Sequence, residues 1–196
     1  MNKRLDNSKR IGGEAESAFT NICKRKNYNI SEANLKQNKY EHWDRKITLP
    51  NKKSYLIDVK AIKDGCYNTT FLEFLGILGH NGWLSGKSDF IAFEQKIGFI
   101  YFKTYDLLNW ALGKVGVENL EEIRFIYKKL FDKEGSLLCD SWDLSHSNDD
   151  YFVQNKEGSL YKLYSRPPWQ GKPRHDVITK VQIKDMKKDL NYWDFV

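Results

Sequence analysis

"YLIDVKAIK", residues 55–63, decides how this chain is read. Tyr55, Leu56, Ile57 and Val59 give it the composition of a buried strand. Asp58 and Lys60 interrupt that composition. Successive side chains of a strand point to opposite faces. Tyr55, Ile57 and Val59 therefore share one face, and Leu56, Asp58 and Lys60 share the other. A lone charge is costly to bury, and an opposite charge or a metal ion offsets much of that cost. At this point two uses stay open, a structural ion pair and a chemical site.

The preceding segment, "EHWDRKITL" (41–49), alternates like a second strand, and "NKK" (51–53) supplies a turn. The two strands are expected to form a hairpin. Asp44 then shares a face with His42 and comes within reach of Asp58. Converging carboxylates repel unless a cation lies between them. Oxygen ligands suit a hard divalent ion such as Mg²⁺ or Mn²⁺. A lysine beside that ion can orient or deprotonate water, or neutralise a phosphate. Upstream, "GGEAESAFTNICKRKN" (12–27) reads as a helix, with Ala15, Ala18, Phe19, Ile22 and Cys23 as its apolar stripe. Glu14 and Glu16 flank that stripe almost symmetrically, so helical geometry does not choose between them.

The rest of the chain mixes strands and helices. "TTFLEFLGI", "DFIAFE", "GFIYFK", "SLYKLYS" and "DVITKVQI" read as strands. "TYDLLNWALGKV", with Thr104 as its N-cap, and "NLEEIRFIYKKLF" read as helices. The expected fold is α/β (α+β), a central mixed β-sheet flanked by helices. Residues 1–196 are expected to form one domain, with a core over 10–114, an acidic insertion over about 115–158 and a basic C-terminal part over 159–196.

Charge supports that division. Residues 1–60 carry 14 Lys/Arg against 7 Asp/Glu, whereas residues 115–158 carry 5 against 10. The whole chain has a net charge of +6, which favours an anionic partner such as nucleic acid. With 40% hydrophobic and 14% aromatic residues, a disordered chain is excluded. Three scattered cysteines, Cys23, Cys66 and Cys139, suit a reducing compartment and form no zinc ribbon. The basic N-terminus has no apolar stretch behind it, and no run of 18 apolar residues exists. Neither a secretory signal nor a membrane span is expected. No phosphate-binding glycine loop, G-x-S-x-G elbow or H-E-x-x-H motif is present.

The order of these parts resembles the PD-(D/E)XK nuclease superfamily. Its pattern is a helix bearing a Glu, an Asp on one strand, and (D/E)-x-K on the next. Here the counterparts are "GGEAESAF", Asp44 in "EHWDRKI", and Asp58-Val59-Lys60. "RIGGEAESAF" further resembles the opening helix of archaeal-type Holliday-junction resolvases, whose spacing picks Glu16. The resemblance covers roughly residues 10–103. Trp43 stands where the pattern has proline. "TTFLEFLGILGHNGWLSGKSDFIAFE" resembles a segment of phage-encoded and restriction-like members, and places Glu73 near the site or on the strand's solvent face. The resemblance implies a restriction-endonuclease-like core and a deoxyribonuclease that needs one or two Mg²⁺ or Mn²⁺ ions. Glu16, Asp44 and Asp58 would be ligands, and Lys60 would act on water. It allows a homodimer, in the cytoplasm of a bacterial, archaeal or phage-infected cell.

Away from that pattern, "RPPWQGKPRH" gathers Arg166, Trp169, Lys172 and Arg174, basic groups around an aromatic that suit a phosphate backbone. A rigid surface turn is the plainer reading. Lys87 and Trp83, in "GHNGWLSGKS", are further candidates for backbone contact, with Trp83 more often a hydrophobic plug. Asp89 reads as a turn residue. The alternative function is a catalytically inactive nucleic-acid-binding or host-interaction protein on the same scaffold.

Overall fold

The computed structural model describes residues 3–62, 66–76, 79–130, 145–146, 152–154, 158–165 and 176–196. The chain divides into two compact units. One contains residues 1–70, 86–104 and 182–196; the other contains 71–85 and 105–181. Both are discontinuous in sequence, so their limits differ from the expected core, insertion and tail.

The first unit opens with a long helix, α1 (Lys3–Arg25). Ala15, Phe19, Ile22 and Cys23 recur at helical spacing and are buried. Asn27, at φ +56°, ends the helix in the left-handed region. The Tyr28 N–H donates to the Cys23 carbonyl and the Asn27 N–H to the Lys24 carbonyl, each at 3.0 Å. This pair of bonds satisfies carbonyls that the last turn would leave open.

Six strands follow in the first sheet: β1 (Asn29–Glu32), β2 (Arg45–Thr48), β3 (Ser54–Lys60), β5 (Phe90–Glu94), β6 (Phe99–Lys103) and β11 (Tyr192–Phe195). Their spatial order is β1-β2-β3-β5-β6-β11. β2 and β3 form the expected antiparallel hairpin, with Arg45 opposite Ile57 and Thr48 opposite Ser54. β3 and β5 are parallel, and the other pairs are antiparallel, so the sheet is mixed. Ile47, Ile57, Val59, Ala92, Phe99, Tyr101 and Phe195 pack with the α1 stripe. Phe19 meets Phe99 edge-on, with ring centroids 5.3 Å apart. A short helix, α4 (Ile183–Asp189), precedes β11.

The second unit holds helices α2 (Thr104–Val115) and α3 (Leu120–Leu130), and most of a five-stranded sheet. That sheet is ordered β4 (Thr69–Leu75), β10 (Val177–Gln182), β9 (Leu163–Ser165), β8 (Phe152–Gln154) and β7 (Ser145–His146). The mixed sheet with helices was expected, whereas a second sheet was not. Thr104 opens α2 with its hydroxyl against Ser88 Oγ at 3.1 Å, a partner the N-cap reading did not foresee.

Candidate functional site

The site begins where β2 begins. The strand expected over 41–49 starts only at Arg45, because Gln37–Glu41 wind into a π-helical turn. His42 ends that turn in the left-handed region, at φ 54° and ψ 58°. Strand alternation therefore does not apply to it, and the expectation that His42 shares Asp44's face is corrected.

Asp44 keeps sheet-like backbone bonds on both sides. Its N–H donates to the Ile57 carbonyl at 2.8 Å, and its carbonyl accepts from the Ala33 N–H at 2.9 Å. Its carboxylate is also held. Oδ2 accepts the Val59 N–H at 2.7 Å, and Oδ1 accepts Asn38 Nδ2 from the π-helical turn. The side chain thus binds a backbone donor of β3 and is 7% exposed.

Asp58 and Lys60 alternate with Ile57 and Val59, which pack on α1. They lie on the opposite face of β3. Lys60 Nζ stands 2.8 Å from Asp58 Oδ2. That is ion-pair distance, and Oδ2 is buried with no further hydrogen-bond partner. The Asp58 carboxyl is pushed up to about 7, chiefly by burial and also by the Asp44 charge, against the opposing pull of Lys60. Asp44 and Asp58 thus share one electrostatic environment, and Lys60 partly compensates it.

Glu16 lies on α1 and feels the charge of Asp44. Burial raises its pKa first and Asp44 next, while Arg45 lowers it. Its Oε2 lies 3.0 Å from Arg45 Nη1. Glu14 instead pairs with Arg10 on the exposed side of α1. Of the two glutamates, Glu16 is the one whose carboxyl is raised by the Asp44 charge.

Arg45 was not singled out from the sequence. It is 8% exposed and sits opposite Ile57, on the α1 face. Nη1 also donates to the Asp44 carbonyl at 3.0 Å, Nε donates to Thr20 Oγ1 at 3.1 Å, and Nη2 lies 3.5 Å from Glu32 Oε1. One guanidinium thus ties α1, β1 and the start of β2 together. A signal was present: Arg45 alternates with Ile47, and an arginine on the apolar face of a strand needs acceptors.

The remaining candidates lie elsewhere. Lys87 Nζ pairs with Glu41 Oε1 at 3.0 Å, and Trp83 is buried. Asp89 stands before β5 and ties it to β3: Oδ2 accepts the Leu56 N–H at 2.7 Å, and the Asp89 N–H donates to the Leu56 carbonyl at 2.8 Å. Glu73 lies on β4, in the second unit. Arg166, Trp169, Lys172 and Arg174 lie outside the described residues.

The donor set has the chemistry of a hard divalent site: carboxylate oxygens only, one of them, Asp58 Oδ2, buried without a hydrogen bond. Among the described residues, no group of three or more His, Cys, Asp or Glu side chains is placed so that it could hold a metal ion. No helix among them is long and apolar enough to cross a membrane. No family model matches the chain, and no curated protein or solved structure matches it. The superfamily resemblance therefore rests on the quoted residues alone.

Proposed function

We propose that this chain is a divalent-metal-dependent nuclease that hydrolyses phosphodiester bonds in DNA. The observation that carries the reading is the buried Asp58 carboxylate, coupled to Asp44 and faced by Lys60 at 2.8 Å. Asp58 and Asp44 would hold Mg²⁺ or Mn²⁺, with Glu16 contributing from α1. Such an ion supplies a Lewis acid that offsets charge building on the scissile phosphate. Asp58 gives the ion a buried anionic anchor. Asp44 is fixed in place by Val59 and Asn38, so it needs little reorganisation. Lys60, paired with Asp58, would face the phosphate or the attacking water. There its ammonium would neutralise charge or orient the water.

A second reading is favoured by the closed Asp58–Lys60 pair and by the two donors already on Asp44. In that reading the charges hold the strand ends together, and the basic chain binds nucleic acid without cutting it. The test is incubation of the protein with linear, circular and branched DNA, with Mg²⁺, Mn²⁺ or EDTA. Metal-dependent product that EDTA suppresses supports the nuclease. Intact DNA on every substrate supports the binding protein.

A further inference from the structure

The segment that supplies Asn38 to Asp44 is built more firmly than its exposure requires. Asn34 and Gln37 bond reciprocally: the Asn34 N–H donates to Gln37 Oε1 at 2.9 Å, and the Gln37 N–H to Asn34 Oδ1 at 3.0 Å. This closes the start of the turn like a capping box. The Asn38 N–H donates to the Asn34 carbonyl at 2.9 Å. At the far end, Glu41 takes Trp43 Nε1 at 3.0 Å on one oxygen and Lys87 Nζ at 3.0 Å on the other. The Lys87 N–H also donates to the Glu41 carbonyl at 2.7 Å.

The side chains this frame presents do little for the fold. None of Gln37–Glu41 is buried. Leu35 is 91% exposed and Tyr40 is 65% exposed. Lys39 Nζ lies 5.0 Å from the Tyr40 ring centroid, so cation and ring form one surface. Lys36 is exposed beside them. The acid of this segment, Glu41, is engaged by Trp43 and Lys87, which leaves the outer surface cationic and aromatic. π-Helical turns often mark functional sites, and a rigid frame around exposed apolar groups suits a partner.

We propose that the turn over residues 34–41 is a contact surface for single-stranded nucleic acid. Tyr40 stacks on an unpaired base, and Lys36 and Lys39 meet the flanking phosphates. Charge complementarity selects a polyanion, and the exposed ring selects an open base face over a paired duplex. This deepens the nuclease reading, on which it rests for the neighbouring site: Asn38 links the turn directly to Asp44. The strand to be cut would then be gripped in an unpaired state beside Asp58.

The test is fluorescence anisotropy of the full chain with a labelled oligo-dT strand and with a duplex of the same length, Ca²⁺ replacing Mg²⁺. The wild type binds the single strand more tightly. Tyr40→Ala weakens that binding about tenfold, the scale for losing a stacked base, while Tyr40→Phe stays near wild type. Replacing Lys36 and Lys39 with Ala together lowers the log–log salt slope by about 1.4, from about 0.7 per phosphate contact. Tyr40 is exposed, so thermal unfolding of Tyr40→Ala should match wild type. Unchanged affinity in Tyr40→Ala, or no binding of the single strand by wild type, overturns the proposal and leaves a protein partner as the use of the turn. The two readings fail separately. Stacking without cleavage sinks the nuclease and supports the turn, whereas cleavage with an unaffected Tyr40→Ala does the reverse.

Discussion

Asp58 carries an energetic conflict. Burial favours its neutral form, and its pKa rises from an ordinary 3.8 to about 7. The folded chain therefore binds this proton more tightly than the unfolded chain. Stability from the group is present below about pH 4 and is lost as pH rises through about 7. Asp58→Asn removes this loss. The variant's melting temperature minus that of wild type should grow from about pH 4 to pH 7 and then level off. Thermal unfolding in EDTA across that range checks it, at about 2–4 °C per kcal/mol for a chain of this length. A flat difference would mean that Asp58 titrates as an ordinary surface carboxylate. Arg45 is the opposite case, a buried charge each of whose nitrogens has a partner. Arg45→Ala leaves the half-buried Glu16 without its partner and should cost about 3 kcal/mol, the lower end for breaking a buried pair. Denaturant unfolding measures this; a loss below 1 kcal/mol would make the guanidinium an incidental neighbour.

The elements differ in how far local sequence could specify them. β3 and α2 were legible because their periods are clean over seven and twelve residues. β1 and β11 were not. "NISE" is short and polar, and "YWDF" buries only Phe195, so neither shows an alternating pattern. Both are edge strands, recognisable only from the neighbour they pair with. The segment before Asp44 misled for a different reason. "EHW" alternates like a strand, but the Asn34–Gln37 bonds and the left-handed His42 wind it into a turn. Asp44, Asp58 and Lys60 could be nominated from order and spacing. The role of Asn38 could not, because it depends on that turn. β11 also supplies a test. Gly98 has φ +71°, and an added Cβ would land on the Phe195 carbonyl and the Val196 side chain. Gly98→Ala should cost more than about 1 kcal/mol and loosen β11 from β6. Faster hydrogen exchange at Tyr192–Phe195 would show it, and unchanged exchange would refute it.

On the scale of the whole molecule, the sequence conveyed the mixed α/β character but not its division. Periodicity reports which face of an element is buried, not which distant element buries it. The first unit is assembled from residues 1–70, 86–104 and 182–196, a combination no local pattern announces. All four residues of the candidate site lie in that unit. Metal binding should therefore stabilise the folded chain as well as enable chemistry. Mn²⁺ at 100 times its dissociation constant would add about 2.7 kcal/mol. The melting temperature should rise by several degrees, reverse with EDTA, and respond little in Asp58→Asn. Equal shifts in wild type and variant would place the cation elsewhere.

If Asp58 and Lys60 carry phosphodiester cleavage, single-turnover cleavage of labelled DNA in Mg²⁺ depends on both. Wild type, Asp58→Asn and Lys60→Ala are compared, with DNA affinity measured separately in Ca²⁺. Cleavage should require Mg²⁺ and vanish in Asp58→Asn. It should fall about 10²-fold or more in Lys60→Ala, the scale of a positioned acid–base or electrostatic group, while affinity changes far less. Wild-type cleavage rates in both variants, or no cleavage by the wild type on linear, circular, branched or single-stranded DNA, would contradict it.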